Sequence, residues 1–165
     1  MNYQMKIKDI IDENFQDYKK PSMMIATCKC DWKCCTEQGL DVSICQNSSI
    51  AKQKDYEVSI EDLLDRYLNN PITSAIVIGG LEPMLQFQDI LQLVNCLRLE
   101  KLCNDPIVIY TGYYPSEINK QINELKQYKN IIIKFGRFIP NSEKRYDNVL
   151  GITLNSKNQY AERIS

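Results

Sequence analysis

The sequence predicts an α/β fold in which a parallel sheet carries helices packed outside it. Two observations predict this class: short unbroken apolar runs of strand length, and intervening segments with apolar residues at helical spacing. The two patterns alternate along the chain, and strands that are connected through helices lie parallel, with right-handed crossovers. Such folds bind ligands at the carboxyl ends of their strands. Candidate site residues are therefore sought just after each strand.

The first part of the chain contains one strand, one long loop and one helix. Residues 1–21 are polar and poorly periodic and are interpreted as an N-terminal extension. Residues 22–27 form a short apolar run, predicted as a buried strand. Residues 28–58 lack periodicity, which in a compact domain is typical of a functional loop. Ser59 is predicted to cap the helix that follows, with Asp62 at the capping-box position.

Three further strands and two further helices are predicted after this helix. The strands cover 74–78, 106–110 and 130–134, and each is an apolar run typical of a strand buried on both faces. One helix is predicted from about 86 to 102, where apolar residues face inward at helical spacing. The other helix begins at Pro115, a residue that is favoured at the first helical position.

Composition and charge exclude several classes of function. A net charge of −1 argues against a basic nucleic-acid-binding surface, and 165 residues suit a single domain covering 1–165. No stretch is long and apolar enough for a membrane span, and the N-terminus lacks a signal-peptide core, so a cytoplasmic location is expected. The sequence contains no histidine, which excludes histidine-dependent nucleophilic catalysis and mixed Cys/His zinc sites.

Five of the seven cysteines lie within eighteen residues: Cys28, Cys30, Cys34, Cys35 and Cys45. In a reducing compartment, such a group indicates metal binding rather than disulfides. Without histidine, the metal must be held by sulfur, with oxygen as the only other choice. A four-sulfur zinc site and a cluster held by three cysteines both fit, although the usual pair of Cys-x-x-Cys knuckles is missing. Cys96 and Cys103 are interpreted as core residues.

A second candidate element, Gly79-Gly80-Leu81-Glu82-Pro83, follows the strand predicted at 74–78. Its two glycines allow a ligand to approach the backbone closely, and its carboxylate can bind an ammonium group. The same residues also fit an ordinary strand-to-helix turn. Thr111-Gly112 follows the next strand and is expected at the same edge of the sheet.

Together these motifs resemble the radical S-adenosylmethionine superfamily. That superfamily carries Cys-x-x-x-Cys-x-x-Cys after the first strand and Gly-Gly-Glu-Pro after the second. Within it, the chain is most similar to the activating proteins of anaerobic ribonucleotide reductases. Four more segments carry the likeness: Cys45-Gln46-Asn47-Ser48, Tyr110-Thr111-Gly112-Tyr113, Gly136-Arg137-Phe138 and Ser156-Lys157-Asn158-Gln159. It runs from about Ser22 to the C-terminus and implies a partial, incomplete parallel β/α barrel.

The resemblance implies that Cys30, Cys34 and Cys45 hold a 4Fe–4S cluster. Cys30 and Cys34 keep the first spacing of the motif, and Cys45 keeps the asparagine that follows at a short distance. The family places two residues between the last two cysteines, whereas ten lie between Cys34 and Cys45 here. Cys28 and Cys35 are therefore alternative ligands, either of which could replace one of the three.

The resemblance also implies a set of residues that bind S-adenosylmethionine: Ile44, Gly79, Gly80, Glu82 and Thr111. Ile44 stands where the family places a residue near the adenine, and Thr111 could reach the ribose or the carboxylate. Packing explains either residue equally well. Leu81 is inserted before Glu82 relative to the family turn, and a backbone bulge could restore the position of the carboxylate.

The activity implied is reductive cleavage of S-adenosylmethionine to a 5′-deoxyadenosyl radical. Because the cofactors carry this chemistry, no side chain is assigned a catalytic role. The implied partners are a large glycyl-radical enzyme, the anaerobic ribonucleotide reductase, and an electron-donor protein. The tyrosine-rich stretch 110–114 is expected at the partner interface. Two alternatives are a non-catalytic, zinc-stabilised α/β module and a radical enzyme with a different substrate.

Overall fold

The computed structural model describes residues 2–165, in which the elements alternate between strands and helices. The strands are β1 (Gln4–Asn14), β2 (Ser22–Thr27), β3 (Tyr56–Ser59), β4 (Ala75–Gly80), β5 (Ile107–Tyr110), β6 (Ile131–Phe135), β7 (Arg145–Asp147), β8 (Ile152–Leu154) and β9 (Tyr160–Arg163). The α-helices are α1 (Lys33–Thr36), α2 (Ser48–Ala51), α3 (Ile60–Leu68), α4 (Phe87–Asn95) and α5 (Asn119–Leu125). A π-helical turn, Cys96–Glu100, extends α4. Short 3₁₀ turns cover Val42–Ile44, Pro83–Gln86 and Pro115–Glu117.

Seven of these strands form one sheet in the order β3-β1-β2-β4-β5-β6-β9. The four central strands, β2, β4, β5 and β6, are parallel neighbours. β1, β3 and β9 are antiparallel to the strands beside them, and β7 pairs with β8 in a separate hairpin. The predicted α/β class is confirmed, and the parallel centre of the sheet consists of the four strands predicted from the sequence.

Apolar residues on the two faces of the parallel strands belong to two separate clusters. On one face, Ile76, Ile107 and Ile131 pack with apolar residues of α3, α4 and α5. On the other face, Val77 and Val108 pack with residues of the loop after β1 and of the β7–β8 hairpin. This alternation follows from the period of two along a strand, and it explains why these runs are continuously apolar.

The predicted helices are present with small shifts at their ends. α3 begins after Ser59, whose hydroxyl accepts the backbone N–H of Asp62, as the capping pattern predicts. The helix predicted from 86 to 102 is divided between α4 and the π-helical turn. Pro115 begins a 3₁₀ turn, and α5 starts only at Asn119. None of the described helices is long and apolar enough to cross a membrane.

The N-terminal segment differs from its interpretation as an extension. Residues 4–14 form β1, which lies between β2 and β3 inside the sheet. Only Met5 and Ile7 of this strand are fully buried, and charged residues occupy many of the other positions. The period-two signal is therefore too short to identify the strand from sequence, because only two alternating positions face the core.

The stretch 28–58, predicted as a loop, is mainly irregular but contains α1, α2 and part of β3. These elements are only four residues long, too short for a periodic pattern. The strands β7, β8 and β9 are three or four residues long and were not predicted for the same reason.

Candidate metal centre

A cavity of about 380 Å³ opens where the parallel strands end. Its walls are the cysteine segment, the turns that follow β4, β5 and β6, and the β7–β8 hairpin. The lining includes every residue predicted for the site: Cys30, Cys34, Ile44, Cys45, Gly79, Gly80, Glu82 and Thr111. The volume is in the range of small-molecule sites, and the position is the one expected for an α/β fold.

Three thiols predicted as ligands line this cavity and are partly exposed: Cys30, Cys34 and Cys45. Two of the three sulfurs accept a hydrogen bond from a backbone N–H. Trp32 donates to Cys30 at 3.3 Å, and Asn47 donates to Cys45 at 3.4 Å. Such hydrogen bonds stabilise thiolates and are among the groups that tune iron–sulfur clusters.

Burial opposes ionisation of Cys30 and Cys34 in the absence of a cation. Burial raises the pKa of Cys30 to about 12, with smaller contributions from the nearby carboxylates of Glu82 and Asp31. Burial also raises the pKa of Cys34, while the N–H of Phe138 lowers it. A metal centre would compensate for the desolvation, because metal binding stabilises the thiolate directly. Soft sulfur donors grouped on one cavity fit an iron–sulfur cluster.

The two alternative cysteines occupy different positions. Cys35 is 3% exposed and lines the cavity. Cys28 lies outside the cavity lining, and its own backbone N–H donates to the side chain of Gln86 at 2.7 Å. The geometry thus leaves Cys35 as the closer substitute for a predicted ligand.

Within residues 2–165, no three Cys, His, Asp or Glu side chains are close enough together to hold one metal ion. A structural zinc site needs such a group, because all four ligands bind the same ion. In a 4Fe–4S cluster, by contrast, each thiolate binds a different iron.

The chain matches, over residues 20–160, a family model described as a 4Fe-4S single cluster domain. It belongs to this family. The matched range contains every predicted site residue, so this chain is an iron–sulfur protein. Among curated proteins, none is similar enough to it to count as a relative.

In this 4Fe–4S domain, the glycine turn begins with Gly79 and Gly80, the last two residues of β4, which lie directly against β2. Gly80 has a φ of +81°, and a Cβ atom there would lie 2.8 Å from the Cβ of Ala26 and 2.9 Å from its Cα. A side chain does not fit at that separation, and the positive φ is itself unfavourable for other residues. Glycine is thus required at position 80 by the packing of the two strands.

The Glu82 carboxylate joins the turns after β4 and β5. It is 7% exposed and accepts hydrogen bonds from the Thr111 hydroxyl at 2.7 Å and the Gly112 N–H at 2.8 Å. A third comes from the backbone N–H of Met84 at 3.0 Å. Burial raises the pKa of Glu82, whereas these hydrogen bonds lower it. Since a carboxylate has about four acceptor positions, these three hydrogen bonds leave about one without a donor from the protein.

The other two predicted contacts, Thr111 and Ile44, have different surroundings. The Thr111 hydroxyl donates to Glu82 and accepts the N–H of Tyr113 at 3.0 Å, so both of its main partners are within the protein. Ile44 ends the 3₁₀ turn before Cys45, and its side chain is 43% exposed at the cavity. Ile44 is therefore free to contact a ligand, whereas Thr111 acts first as an anchor for Glu82.

Lys134 is a cavity residue that the sequence interpretation did not include. It is 6% exposed, and its ammonium donates to the carbonyl of Gly136 at 3.0 Å. Burial lowers the pKa of Lys134 to about 8, while Cys34 and Glu82 raise it. The sequence did contain a signal for this residue, because Lys134 interrupts the apolar run of β6. A lysine that is buried in a strand rarely lacks a partner.

The tyrosines predicted at an interface are occupied by contacts within the protein. The Tyr110 hydroxyl donates to the carbonyl of Asp17, and the Tyr113 hydroxyl donates to Asp31. The amide of Asn158 donates to the Tyr114 hydroxyl at 2.9 Å. All three residues are half-buried, and Tyr110 is the one that lines the cavity.

Proposed function

We propose that this iron–sulfur protein is a radical S-adenosylmethionine enzyme of the glycyl-radical activase type. The observation that carries the proposal is the shared cavity: Cys30, Cys34 and Cys45 line it together with the glycine turn and the strand ends. In the proposed site, these three thiolates hold the 4Fe–4S cluster and leave one iron without a protein ligand. The amino and carboxylate groups of S-adenosylmethionine bind at that iron.

The residues of the chain that bind S-adenosylmethionine follow from charge and position. Glu82 lines the cavity and accepts an N–H of the amino group. Lys134 is a buried ammonium on the same cavity and binds the carboxylate. Ile44 offers an exposed apolar surface to the adenine. Charge-assisted contacts of this kind, shielded from water, are stronger than neutral hydrogen bonds.

The bound cluster would supply the electron that cleaves the carbon–sulfur bond of S-adenosylmethionine and gives the 5′-deoxyadenosyl radical. The protein's own part is to orient the ligand and to keep water away from it. Gln46 and Asn155 meet at 3.2 Å, which links the cysteine segment to the end of the hairpin beside the cavity.

The proposed protein substrate is a glycyl-radical enzyme, the anaerobic ribonucleotide reductase, and a separate protein supplies the electron. Large apolar side chains near the cavity support a macromolecular partner, because Val42, Ile44 and Ile139 are each more than a third exposed. In the proposed architecture, the parallel strands β2, β4, β5 and β6 belong to a partial β/α barrel whose concave side holds the cavity.

The proposal is tested by anaerobic reconstitution with iron and sulfide, followed by reduction in the presence of S-adenosylmethionine. The expected result is a brown protein that contains the iron and sulfide of one cluster and releases 5′-deoxyadenosine. A colourless protein with tightly bound zinc, or a cluster that never yields 5′-deoxyadenosine, would contradict it.

The same measurement on five alanine variants tests the ligand assignment. Cys30→Ala, Cys34→Ala and Cys45→Ala are expected to lose the cluster signal. Cys28→Ala is the matched control, because this thiol lies outside the cavity, and Cys35→Ala should also keep its iron. A cluster that survives in one of the first three variants would remove that cysteine from the ligand set.

A further inference from the structure

Arg137 lies at the centre of a charged cluster behind the cysteine segment. Its side chain is 8% exposed and binds Glu117 through two hydrogen bonds, of 2.6 Å and 2.9 Å. It also binds Glu37, with nitrogen–oxygen distances of 2.8 Å and 3.0 Å. One guanidinium thus joins two carboxylates, a use that suits the fixed fork of arginine donors.

The elements joined by Arg137 include α1, the helix that carries Cys34. Glu37 is the C-cap residue of α1, so Arg137 holds the last turn of this helix. At the other end of α1, the Lys33 ammonium lies 3.8 Å from Glu117 and 4.9 Å from the centre of the Tyr113 ring. A helix of four residues is not stable alone, so its position depends on these contacts.

The residue after Arg137, Phe138, is linked to the predicted ligand Cys34 through the side chain of Gln38. The Gln38 side chain bridges the carbonyls of Cys34 and Phe138, at 2.6 Å and 3.0 Å. On another side, a Cβ atom built on Gly112 would lie 3.3 Å from the Cys34 sulfur. Cys34 is therefore surrounded by the segment after α1, by the residue after Arg137 and by the turn after β5.

We infer that Arg137 is a positioning residue for the cluster ligand Cys34. It fixes α1 through Glu37 and holds the next residue, Phe138, which Gln38 bridges to Cys34, so that the sulfur keeps one orientation toward the cavity. Arg137 itself is not part of the cavity lining, so it acts through Cys34 and not by touching a cofactor. The inference rests on the proposed assignment of Cys34 as a ligand. Residues that orient metal ligands typically change metal affinity or activity by about 10–100-fold when replaced.

The test compares Arg137→Ala and Glu37→Gln with Arg66→Ala in the full chain. Arg66 is the matched control, because it binds Asp12 with two contacts of 2.6 Å but lies outside the cavity lining. After anaerobic reconstitution, iron loss to a chelator is expected to be about tenfold faster in Arg137→Ala than in wild type. Arg66→Ala should lose iron at the wild-type rate.

Three further readouts separate positioning from a general loss of stability. Hydrogen exchange of the backbone at residues 33–38, measured without metal, should accelerate in Arg137→Ala and not in Arg66→Ala. The electron paramagnetic resonance spectrum of the reduced cluster should change in Arg137→Ala, since the orientation of one ligand changes. Arg137→Lys should recover part of the iron retention, because an ammonium can still bind one of the two carboxylates.

Each result has a defined meaning. Unchanged iron loss and unchanged exchange at residues 33–38 in Arg137→Ala would overturn the inference. If that variant does not fold, Glu37→Gln decides, because it removes the charge from the contact to α1 and leaves the contacts of Arg137 with Glu117 in place, and wild-type behaviour in it would also overturn the inference. A cluster that persists in Cys34→Ala would refute the ligand assignment separately. Failure of wild type to take up iron and sulfide would refute the proposed cluster site itself.

Discussion

The Glu82 carboxylate and the Thr111 hydroxyl are joined by a 2.7 Å hydrogen bond that connects the turns after β4 and β5. Both side chains are buried, with exposures of 7% and 2%. The bond therefore has two roles. It connects the ends of β4 and β5, and it favours the carboxylate form of Glu82 beside the cavity. Two neighbouring strand ends are held in register by residues that were predicted only as ligand contacts.

Replacing Thr111 with valine should destabilise the protein by about 1–3 kcal/mol. Valine preserves the shape of the side chain but removes two hydrogen bonds. Glu82 Oε1 keeps only the Met84 N–H, and the Tyr113 N–H loses its acceptor, a loss that costs free energy in that range. The free energy of unfolding, measured with urea, checks the prediction. Thr73→Val is the matched control, because the buried Thr73 hydroxyl has no hydrogen-bond partner among the described residues. A Thr111→Val variant as stable as wild type would contradict the structural role of the bond.

A second prediction concerns Gly80→Ala, which should be strongly destabilising. The new Cβ would lie 2.8 Å from the Cβ of Ala26, and the φ of +81° disfavours any side chain. Gly39→Ala is the control, since its φ of +65° is similar but no atom lies within 4 Å of the added Cβ. We expect Gly39→Ala to cost roughly 1–2 kcal/mol and Gly80→Ala clearly more, as measured by chemical denaturation. Equal costs would show that β2 moves freely away from the turn.

The sequence was sufficient to predict the parallel centre of the fold. β2, β4, β5 and β6 are buried on both faces, and this burial is what produces the continuous apolar runs seen in the sequence. It was also sufficient to bring the site residues to one edge, because parallel strands end on the same side of the sheet. The Ser59 cap of α3 was predicted correctly for a local reason, namely that its partner, Asp62, is only three residues away.

The remaining features depend on contacts between distant segments. β9 is defined by pairing with β6 and not by its own four residues, two of which are exposed. Lys134 belongs to the site because the strand alternation turns it toward the cavity, yet its neighbours in sequence are apolar. The Arg137–Glu37 contact joins residues a hundred positions apart. No local pattern specifies such a pair, so only the folded chain reveals it.

Lys134→Met should weaken the binding of S-adenosylmethionine to the reconstituted protein by roughly 10–100-fold, the loss expected when one charge-assisted contact is removed. Cluster content should stay at the wild-type level, because Lys134 is not a ligand in the proposed site. Equilibrium binding to the reconstituted protein measures the first effect, and iron analysis measures the second. Lys101→Met is the control, since this lysine pairs with Asp65 on the surface at 2.6 Å. Unchanged affinity in Lys134→Met would remove this lysine from the proposed ligand contacts.

The last prediction concerns the pH dependence of stability through Glu117. The hydrogen bonds from Arg137 hold the pKa of Glu117 at about 2, below its ordinary value of 4.5. A folded-state pKa below the unfolded-state value means that the unfolded chain binds more protons in this window, so stability decreases as the pH falls. The contribution of Glu117 is complete above about 4.5 and disappears as the pH falls toward about 2.

Urea unfolding of wild type and Glu117→Gln, measured on the protein before reconstitution, checks this dependence. Wild type should be the more stable of the two near neutral pH, and the difference should shrink steadily through the acidic window, because protonated Glu117 and glutamine are alike in charge. Arg137→Ala should abolish the pH dependence of that difference, since Arg137 is the main cause of the lowered pKa. A gap between wild type and Glu117→Gln that stays constant with pH would mean that the Glu117–Arg137 pair contributes through packing and not through charge.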